Sequence, residues 1–466
     1  MNRFISVVVC VLLLTSCRSG GSKRQSAEKS GDTMENKYSV QFITVDPGHF
    51  HAALVQKVMY DKVSPEVHVY APEGPDYVQH LDRIESYNNR AEDPTSWEEI
   101  VYIGQDFFER MLEDSKGNVV VLSGNNKKKA EYIARSVNAG LNVLADKPMI
   151  ISPDDFPALE EAFRLADEKG ILLYDIMTER YEITTILQKL LSQKEEVFGK
   201  LLQGSKEDPA VTKISVHHFS KIVSGIPLQR PAWFFDVEQQ GEGIVDVTTH
   251  LVDLIQWECF PEQILNPTDI NISEARRWPT VMTKSEFSAV TGFKEFPDFL
   301  QKDVKDGSLE VYSNGEILYQ IKGIWARVSV TWNYESPPGG GDTHYSVMRG
   351  SRCDLTIKQG AEEKYIPTLY VENIRGENIN EFTAKLKDAL ASMPYEALEI
   401  EPVGKNMLRI NVPQEYRISH EEHFGQVSSS FLEYLDKGKL PEWEVPGMIT
   451  KYFTTTTALK KARINK

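Results

Sequence analysis

The chain has 466 residues, more than a single hydrophobic core usually supports, so at least two domains are expected. With 41% apolar and 26% charged residues, it has the composition of a globular protein rather than of a fibrous or disordered one. The net charge of −16 argues against nucleic acid, or an anionic membrane surface, as the main partner and leaves neutral or cationic small molecules open.

The N-terminal segment predicts export and a lipid anchor. An apolar run from Phe4 to Leu14 follows Arg3 and is too short to cross a bilayer of about 30 Å. The next residues, LTSC, resemble a bacterial lipobox, which implies a signal peptide over residues 1–16 and lipidation of Cys17. A polar stretch then fits a flexible tether that ends at residue 37. We therefore expect a cell-envelope lipoprotein facing the periplasm or at the outer membrane, bound to the membrane through its lipid only.

Residues 38–180 alternate between short apolar runs and helical periodicity. The runs YSVQFITV, EVHVYA, GNVVVLSG, LNVLADKP and ILLYDI are interpreted as strands, and helical spacing follows in HAALVQKVMY, in NNKKKAEYIARSVNAG and between Ser152 and Gly170. Residues 73–98, rich in Asp, Glu and Asn, are interpreted as an insertion. Strands that alternate with helices predict an α/β fold with a Rossmann-like, doubly wound parallel sheet, whose ligands bind at the carboxyl ends of the strands.

Residues 181–466 are expected to form a second domain of the α+β class. Runs such as IKGIWARVSVTWNY and CDLTIKQ alternate with a period of two and are separated by few helices. This pattern favours a large, open, mainly antiparallel sheet covered by helices on one side. Two cysteines, Cys259 and Cys353, lie in this half, and the sequence leaves open whether they pair.

Three motifs in the chain resemble one family of enzymes. SGNN (residues 123–126) and DKP (residues 146–148) end two successive strands, one helix apart. They resemble the T-P-N and E-K-P turns of the Gfo/Idh/MocA oxidoreductases, the family of glucose–fructose oxidoreductase and inositol dehydrogenase. GEGIVDVTTHLVDLIQW (residues 241–257) resembles the G-G-G-x-x-x-D-x-x-x-H-x-x-D signature of the same family.

The resemblance implies the oxidation of a sugar or polyol hydroxyl by a nicotinamide cofactor. His250 would accept the hydroxyl proton, Lys147 would stabilise the charge on the same oxygen, and Asp246 would tune or orient this pair. The spacing agrees, because Asp246 and His250 are four residues apart on a predicted helix and a nearby carboxylate favours a protonated imidazole. Alone, such a pair is more often structural. Arg180 and Asp253 are weaker candidates for substrate binding.

The turn DPGHFH after the first strand is the candidate cofactor turn in an altered form. Against G-x-G-x-x-G only Gly48 remains, which lets a pyrophosphate approach the backbone, whereas Asp46 and His51 replace the other two glycines. The start of the following helix could still attract phosphate. NAD or NADP is expected, tightly bound because free nucleotide is scarce outside the cytoplasm, and no metal site is expected. The predicted cofactor residues are Gly48, His49, Phe50, Ser123, Gly124, Asn125, Asn126, Asp146, Lys147 and Pro148.

Three functional hypotheses follow. The first is a cell-envelope, nicotinamide-dependent oxidoreductase that acts on a carbohydrate or polyol. The second is a redox-neutral, NAD-dependent enzyme that processes glycosides through a transient 3-keto sugar. The third is a non-catalytic, carbohydrate-binding lipoprotein on a Rossmann scaffold. The resemblance further implies a homo-oligomer formed through the C-terminal sheet.

Other histidines carry less weight in the sequence. HEEHF at residues 420–424 has neither the order nor the spacing of a metalloprotease motif, so it is interpreted as the start of a surface helix. His217 and His218 would point to opposite faces of a strand, so at most one of them faces a site.

Overall fold

The structure is a computed structural model and describes residues 38–464, except 224–225 and 375. The predicted signal peptide, Cys17 and the tether therefore lie outside the described residues. Two sheets, each with its own hydrophobic core, make up the described body. Within the described body, no helix combines the length and apolarity that a membrane crossing needs.

The N-terminal sheet has six parallel strands in the order β3-β2-β1-β4-β5-β6, which confirms the predicted Rossmann-like sheet. Its central strands, FITV and VVVL, are wholly buried, as expected for parallel strands covered on both faces. The strands are β1 (Phe42–Val45), β2 (Glu66–Ala71), β3 (Glu98–Ile103), β4 (Val119–Leu122), β5 (Asn142–Asp146) and β6 (Leu173–Ile176). The helices are α1 (His51–Leu54), α2 (Pro75–Asn89), α3 (Phe107–Asp114), α4 (Lys129–Asn138), α5 (Phe156–Lys169) and α6 (Ile183–Ser192).

The helix that follows β1 is much shorter than its sequence predicts. HAALVQKVMY has helical spacing, yet α1 makes a single turn and the chain then continues as turns. Tyr60 folds back against Phe42, and its hydroxyl donates to the carbonyl of Val55 at 2.8 Å. That carbonyl would accept from Met59 if the helix continued, so the tertiary contact ends the helix. A one-turn helix offers little of the dipole that attracts phosphate.

The acidic stretch interpreted as an insertion contains a regular element of the fold. Pro75 stands at the first position of α2, where its missing N–H costs no hydrogen bond, and Asp76 lies in the first turn. β3 begins at Glu98, at the edge of the sheet, where its partly exposed side chains hide the apolar pattern of a strand. The interpretation as an insertion was therefore wrong.

The second sheet has ten strands, in the order β10-β12-β13-β7-β14-β15-β16-β18-β17 with β11 beside β12. The pair β13–β7 is parallel and the other pairs are antiparallel, which confirms the predicted mainly antiparallel sheet. Its strands are β7 (Val211–Ser220), β10 (Ile270–Met282), β11 (Val304–Lys305), β12 (Ser308–Ile321), β13 (Ile324–Glu335), β14 (Thr343–Arg349), β15 (Cys353–Gln359), β16 (Thr368–Asn373), β17 (Glu399–Pro402) and β18 (Met407–Asn411). A separate hairpin pairs β8 (Ile222–Val223) with β9 (Ile226–Pro227).

Helices α6, α7 and α11 pack on this sheet. The helices of this half are α7 (Thr248–Cys259), α8 (Lys284–Thr291), α9 (Ile379–Ala391), α10 (His420–Lys437) and α11 (Glu444–Ile464). Cys259, at the end of α7, and Cys353, at the start of β15, are both free thiols.

The last two helices return to the first sheet. Phe424 and Phe431 of α10 and Tyr452 of α11 are buried in the core of the N-terminal half, where Phe431 stacks on Tyr174 of β6. The predicted division at residue 180 assigns this segment to the second domain, but its side chains complete the first core. As a result, the start of α10 lies at the carboxyl edge of the parallel sheet.

Candidate functional site

A cavity of about 650 Å³ lies between the two halves, within the size range of small-molecule sites. Side chains from the carboxyl ends of β1 and β5, from α7 and from the second sheet line it together. Aromatic rings and charged groups of both signs line its walls. Seven of the ten histidines in the chain line this cavity, namely His49, His51, His217, His250, His344, His420 and His423.

An ion pair joins the two halves inside the cavity. Lys147 Nζ, just after β5, donates to Asp246 Oδ1 at 2.9 Å, and both side chains are about nine-tenths buried. Gln240 Nε2 donates to the other carboxylate oxygen at 3.1 Å. Burial alone would disfavour the ammonium, but Asp246 and then Asp146 raise the pKa of Lys147 above its usual value. Lys147 is therefore a permanent cation at neutral pH.

His250 presents a neutral ring to the same cavity. Burial, followed by the positive charge of Lys147, lowers the pKa of His250 well below its usual range. Its Nδ1 has no hydrogen-bond partner among the described residues. A neutral imidazole that lines a cavity can accept a proton from a bound hydroxyl.

Asp246 does not act on His250 in the predicted way. The residue lies in the turn that precedes α7, which begins at Thr248. Its two carboxylate oxygens bond to Lys147 and Gln240 instead. The structure therefore brings the three predicted catalytic residues to one cavity, with Asp246 positioning Lys147 rather than the imidazole.

The predicted cofactor residues next to β5 form a polar cluster of their own. Asp146 Oδ2 lies 2.9 Å from His51 Nδ1 and 3.8 Å from His49 Nδ1, and it accepts from Ser123 Oγ at 3.0 Å. The main-chain N–H of His51 lies 3.3 Å from His49 Nδ1. His49 and His51 also face the cavity, as does Phe50 between them.

A buried lysine fixes the turn that carries Asp146. Lys129 Nζ donates to the main-chain carbonyls of Asp146, at 3.0 Å, and of Pro148, at 3.2 Å. Burial lowers the pKa of Lys129 to about 8. Pro148, a predicted cofactor residue, therefore contributes a carbonyl to the scaffold of the turn.

The face of Gly48 that should receive a pyrophosphate is filled by side chains. A Cβ placed on Gly48 would lie 2.8 Å from Asp76 Oδ2 and 3.1 Å from Trp233 Cζ2. These two side chains are bonded to each other, with Trp233 Nε1 donating to Asp76 Oδ2 at 2.8 Å. The space beside Gly48 is therefore occupied by the side chains of Asp76 and Trp233.

The carboxylate of Asp46 lies near that of Asp76. Asp46 has a backbone φ of 48°, and burial together with the charge of Asp76 raises its pKa to about 6. Its main-chain carbonyl lies where a Cβ of Gly124 would be, at 1.9 Å, so Gly124 serves close packing of the two turns. At neutral pH, two neighbouring negative charges would repel a phosphate here.

The other predicted cofactor turn is bonded to the second half of the chain. Asn125 Nδ2 donates to Gln239 Oε1 at 2.6 Å, and Asn126 Nδ2 donates to the carbonyl of Gln240 at 2.7 Å. The main-chain N–H of Asn126 donates to the carbonyl of Gln239 at 2.9 Å. The donors that a nucleotide would use are therefore satisfied by protein.

These contacts do not fit a tightly held dinucleotide at the glycine turn, the position predicted from the sequence. The glycine face is covered, two carboxylates replace the phosphate-binding groups and α1 is only one turn long. Only three of the ten predicted cofactor residues, His49, Phe50 and Lys147, line the cavity. The prediction of a tightly held nucleotide did not anticipate these side chains.

Arg180 and Asp253, the weaker substrate candidates, lie in a buried ion network. Arg180 makes two hydrogen bonds to Asp253, both 2.7 Å, and it also contacts Glu444 at 2.8 Å. Lys451 Nζ bonds to Asp253 at 2.8 Å and to Asp175 at 2.7 Å. Neither Arg180 nor Asp253 lines the cavity, so the geometry gives them a structural task, connecting α7, α11 and β6.

The neighbour of Arg180 faces the cavity instead. Glu179 is among the lining residues, and burial, together with the charge of Glu182, raises its pKa to about 7. Glu179 and Arg180 both belong to a short 3-10 helix over Thr178–Tyr181, and only Glu179 lines the cavity.

The loop before β14 supplies a carboxylate that sequence reasoning missed. Asp342 lies 3.0 Å from His218 Nδ1 and 3.3 Å from His217 Nδ1, and it accepts from Lys221 at 2.9 Å. Of the two histidines, only His217 lines the cavity, as the alternation of a strand predicts.

The segment HEEHF does begin a helix, but not one that is remote from the site. Ser419 caps α10, and His420 and His423 lie in its first turn and line the cavity. His420 Nε2 lies 3.2 Å from Thr178 Oγ1. His420 and His423 are far from β5 in the sequence, so no local sequence pattern indicates that they lie near the cavity.

Comparisons with known proteins place the chain among oxidoreductases. Residues 187–463 match a family model described as "Putative oxidoreductase C terminal domain". The crystal structure of a putative oxidoreductase from Parabacteroides merdae ATCC 43184 has 54% identity and a TM-score of 0.90, covering 92% of this chain and 98% of that one. No curated protein matches the chain.

Two more distant structures share the fold. GenD2 from gentamicin A biosynthesis, in complex with NAD, has 15% identity and a TM-score of 0.54, covering 92% of this chain and 95% of its own. KijD10, a 3-ketoreductase from Actinomadura kijaniata in complex with TDP-benzene and NADP, has 14% identity and a TM-score of 0.54, covering 91% and 97%.

The buried Asp46 predicts a specific dependence of stability on pH. Because its pKa is raised to about 6 in the folded protein, its contribution to stability is complete below about pH 4 and is lost as the pH rises through 6. Asn adopts a positive φ readily, so Asp46→Asn removes the titration without straining the turn. We expect the thermal midpoint of the variant to rise relative to wild type between pH 4 and pH 7. A difference that stays constant over this range would contradict the assignment.

Proposed function

The chain belongs to the oxidoreductase family that this model describes, which is of the Gfo/Idh/MocA type, and on that premise we propose that it acts on a hydroxyl group of a carbohydrate or polyol. One observation carries the proposal. The charged Lys147, held by Asp246, shares a cavity with the neutral His250, whose Nδ1 has no hydrogen-bond partner among the described residues.

Each of these three residues has a distinct task in the proposal. The substrate hydroxyl donates to His250, which accepts the proton as the bond to hydrogen weakens. The ammonium of Lys147 stabilises the negative charge that develops on the same oxygen, and it does so in a buried site where water screens little. Asp246 keeps the ammonium charged and in place, and it is a positioning residue.

The lining of the cavity supports a hydroxylated substrate. The rings of Phe234 and Trp332 lie on one wall, with the Arg230 guanidinium 4.5 Å and 5.2 Å from the ring centres. Asp342 and Gln359 add acceptors and donors nearby. Aromatic rings together with a few polar groups are the usual lining of a small-molecule site, which is compatible with a hydroxylated ligand.

Oxidation of a hydroxyl carbon also needs a hydride acceptor, for which the sequence predicts a nicotinamide. The NAD complex of GenD2 and the NADP complex of KijD10 support this cofactor class. The side chains that cover Gly48 oppose tight retention of the nucleotide, so the hydride acceptor would be an exchangeable NAD⁺ or NADP⁺. The steps described above are therefore limited to proton transfer and charge stabilisation by residues of this chain.

The filled turn favours one second candidate, the non-catalytic carbohydrate-binding lipoprotein. In that case the cavity would bind a sugar without converting it, and the buried Lys147–Asp246 pair would serve structure only. The retention of a neutral His250, with no hydrogen-bond partner for its Nδ1 among the described residues, favours the enzyme.

The two candidates separate in a turnover experiment with matched variants. Full-length protein is incubated with a panel of hexoses and polyols plus NAD⁺ or NADP⁺, and carbonyl products are measured by mass spectrometry. We expect His250→Ala to lower kcat about 10²- to 10⁴-fold and to leave sugar affinity, measured by calorimetry, nearly unchanged. Lys147→Met should lower kcat about 10²- to 10³-fold.

His68→Gln, which alters a histidine of β2 outside the cavity, is the control and should behave as wild type. Full turnover in both cavity variants would contradict the assigned tasks. Sugar binding by the wild type without any product would favour the binding lipoprotein.

We also propose that the protein is anchored to the cell envelope through Cys17. The support is the short apolar run, the LTSC motif and the polar tether in the sequence. Cells that express the protein should incorporate labelled palmitate into it, and Cys17→Ala should abolish the label. Equal labelling of the variant would contradict lipidation at this residue.

The family resemblance further supports a homo-oligomer in which the ten-stranded sheet forms the interface. Light scattering on the detergent-solubilised protein, corrected for bound detergent and lipid, should then give a multiple of the mass of one mature chain. A mass of one chain would contradict this part of the proposal.

A further inference from the structure

His49, His51 and Asp146 offer a set of donor atoms that suits a metal ion. Each contributes one nitrogen or carboxylate oxygen, and these atoms all lie within 4.8 Å of one another. Asp146 Oδ2 is 2.9 Å from His51 Nδ1 and 3.8 Å from His49 Nδ1. Two imidazoles and one carboxylate on one side of a common point are a known donor set for divalent first-row transition metals.

The cluster rests on rigid parts of the fold. His49 and His51 stand two residues apart after β1, and Asp146 ends β5, with the end of β4 between them. Ser123, at that end, donates to Asp146 Oδ2 at 3.0 Å and so orients the carboxylate. The ring of Phe424 packs 4.5 Å from the ring of His51. Little rearrangement is needed to bring the donors together.

Neither lysine beside the cluster occupies one of its donor atoms. Lys147 Nζ bonds to Asp246, and the ammonium of Lys129 bonds to main-chain carbonyls rather than to the Asp146 carboxylate. Binding through His49 Nδ1 would give up only the 3.3 Å contact with the His51 N–H.

The position of the cluster leaves room for more ligands. His49 and His51 line the cavity, whereas Asp146 is only 4% exposed and closes the opposite side. The open positions of a bound ion would therefore face the space that Lys147 and His250 share.

We propose that His49, His51 and Asp146 bind a divalent first-row transition-metal ion whose open coordination positions face the cavity. The turn that holds phosphate in dinucleotide-binding proteins would here hold a metal. The ion could polarise a substrate oxygen as a Lewis acid. Metal binding stands independently of the proposed hydroxyl chemistry, and it departs from the expectation of no metal site.

The test uses Co²⁺ as a spectroscopic probe and Zn²⁺ as a competitor. Full-length protein, purified without a histidine tag and stripped with a chelator, is titrated with Co²⁺ while the visible absorption is recorded. We expect one equivalent per chain, displaced by Zn²⁺. His49→Ala and His51→Ala should each weaken binding at least tenfold, and Ser123→Ala should weaken it about 10- to 100-fold through the lost orientation of Asp146.

Two controls make the result specific. His344→Ala changes a cavity histidine outside the cluster and should bind Co²⁺ as wild type does. His250→Ala, which should lose turnover, should also keep the metal, so that failure of the metal site and failure of the proposed function are distinguishable. Absence of Co²⁺ binding by the wild type, or wild-type affinity in both His49→Ala and His51→Ala, would overturn the proposal.

Discussion

The buried ion pair between Lys147 and Asp246 is the interaction on which the site depends. It connects the end of β5 to the segment before α7, and it therefore fixes one half of the molecule against the other at the cavity wall. Removing either partner would leave an unpaired buried charge, which typically costs about 3–5 kcal/mol. Because the pairing with Asp246 keeps the Lys147 ammonium charged, the cavity contains a fixed cation beside the neutral His250.

The carboxyl edge of the parallel sheet, where Lys147 lies, differs from that of a dinucleotide-binding fold. In a dinucleotide-binding fold this edge is open and lined with main-chain donors. Here Asp76 and Trp233 cover Gly48, and the asparagines that follow β4 bond to Gln239 and Gln240. Polar groups that would face a nucleotide are thus satisfied by protein, and the open space lies between the two halves. Family membership predicts the fold, whereas these local substitutions decide which ligands fit.

Much of this could be predicted from the sequence, because alternating apolar runs and local motifs report on strands, helices and the residues at their ends. Lys147 and His250, which were predicted from such motifs, both line the cavity. The rest depended on contacts between distant residues. Tyr60 packs on Phe42 of β1, and Trp233 reaches a turn far earlier in the chain. Likewise, a short helix turns Glu179 rather than its neighbour inwards, which periodicity could not show.

The most direct test of the account is the nucleotide content of the protein itself. Full-length protein purified without added nucleotide is denatured, and released NAD and NADP are quantified by mass spectrometry. Because side chains cover Gly48 and two carboxylates adjoin it, the account predicts no stoichiometric nucleotide. About one nucleotide per chain would contradict it, since Asp76 and Trp233 would then have to leave the turn in the native protein, and the tightly bound cofactor predicted from the sequence would be restored.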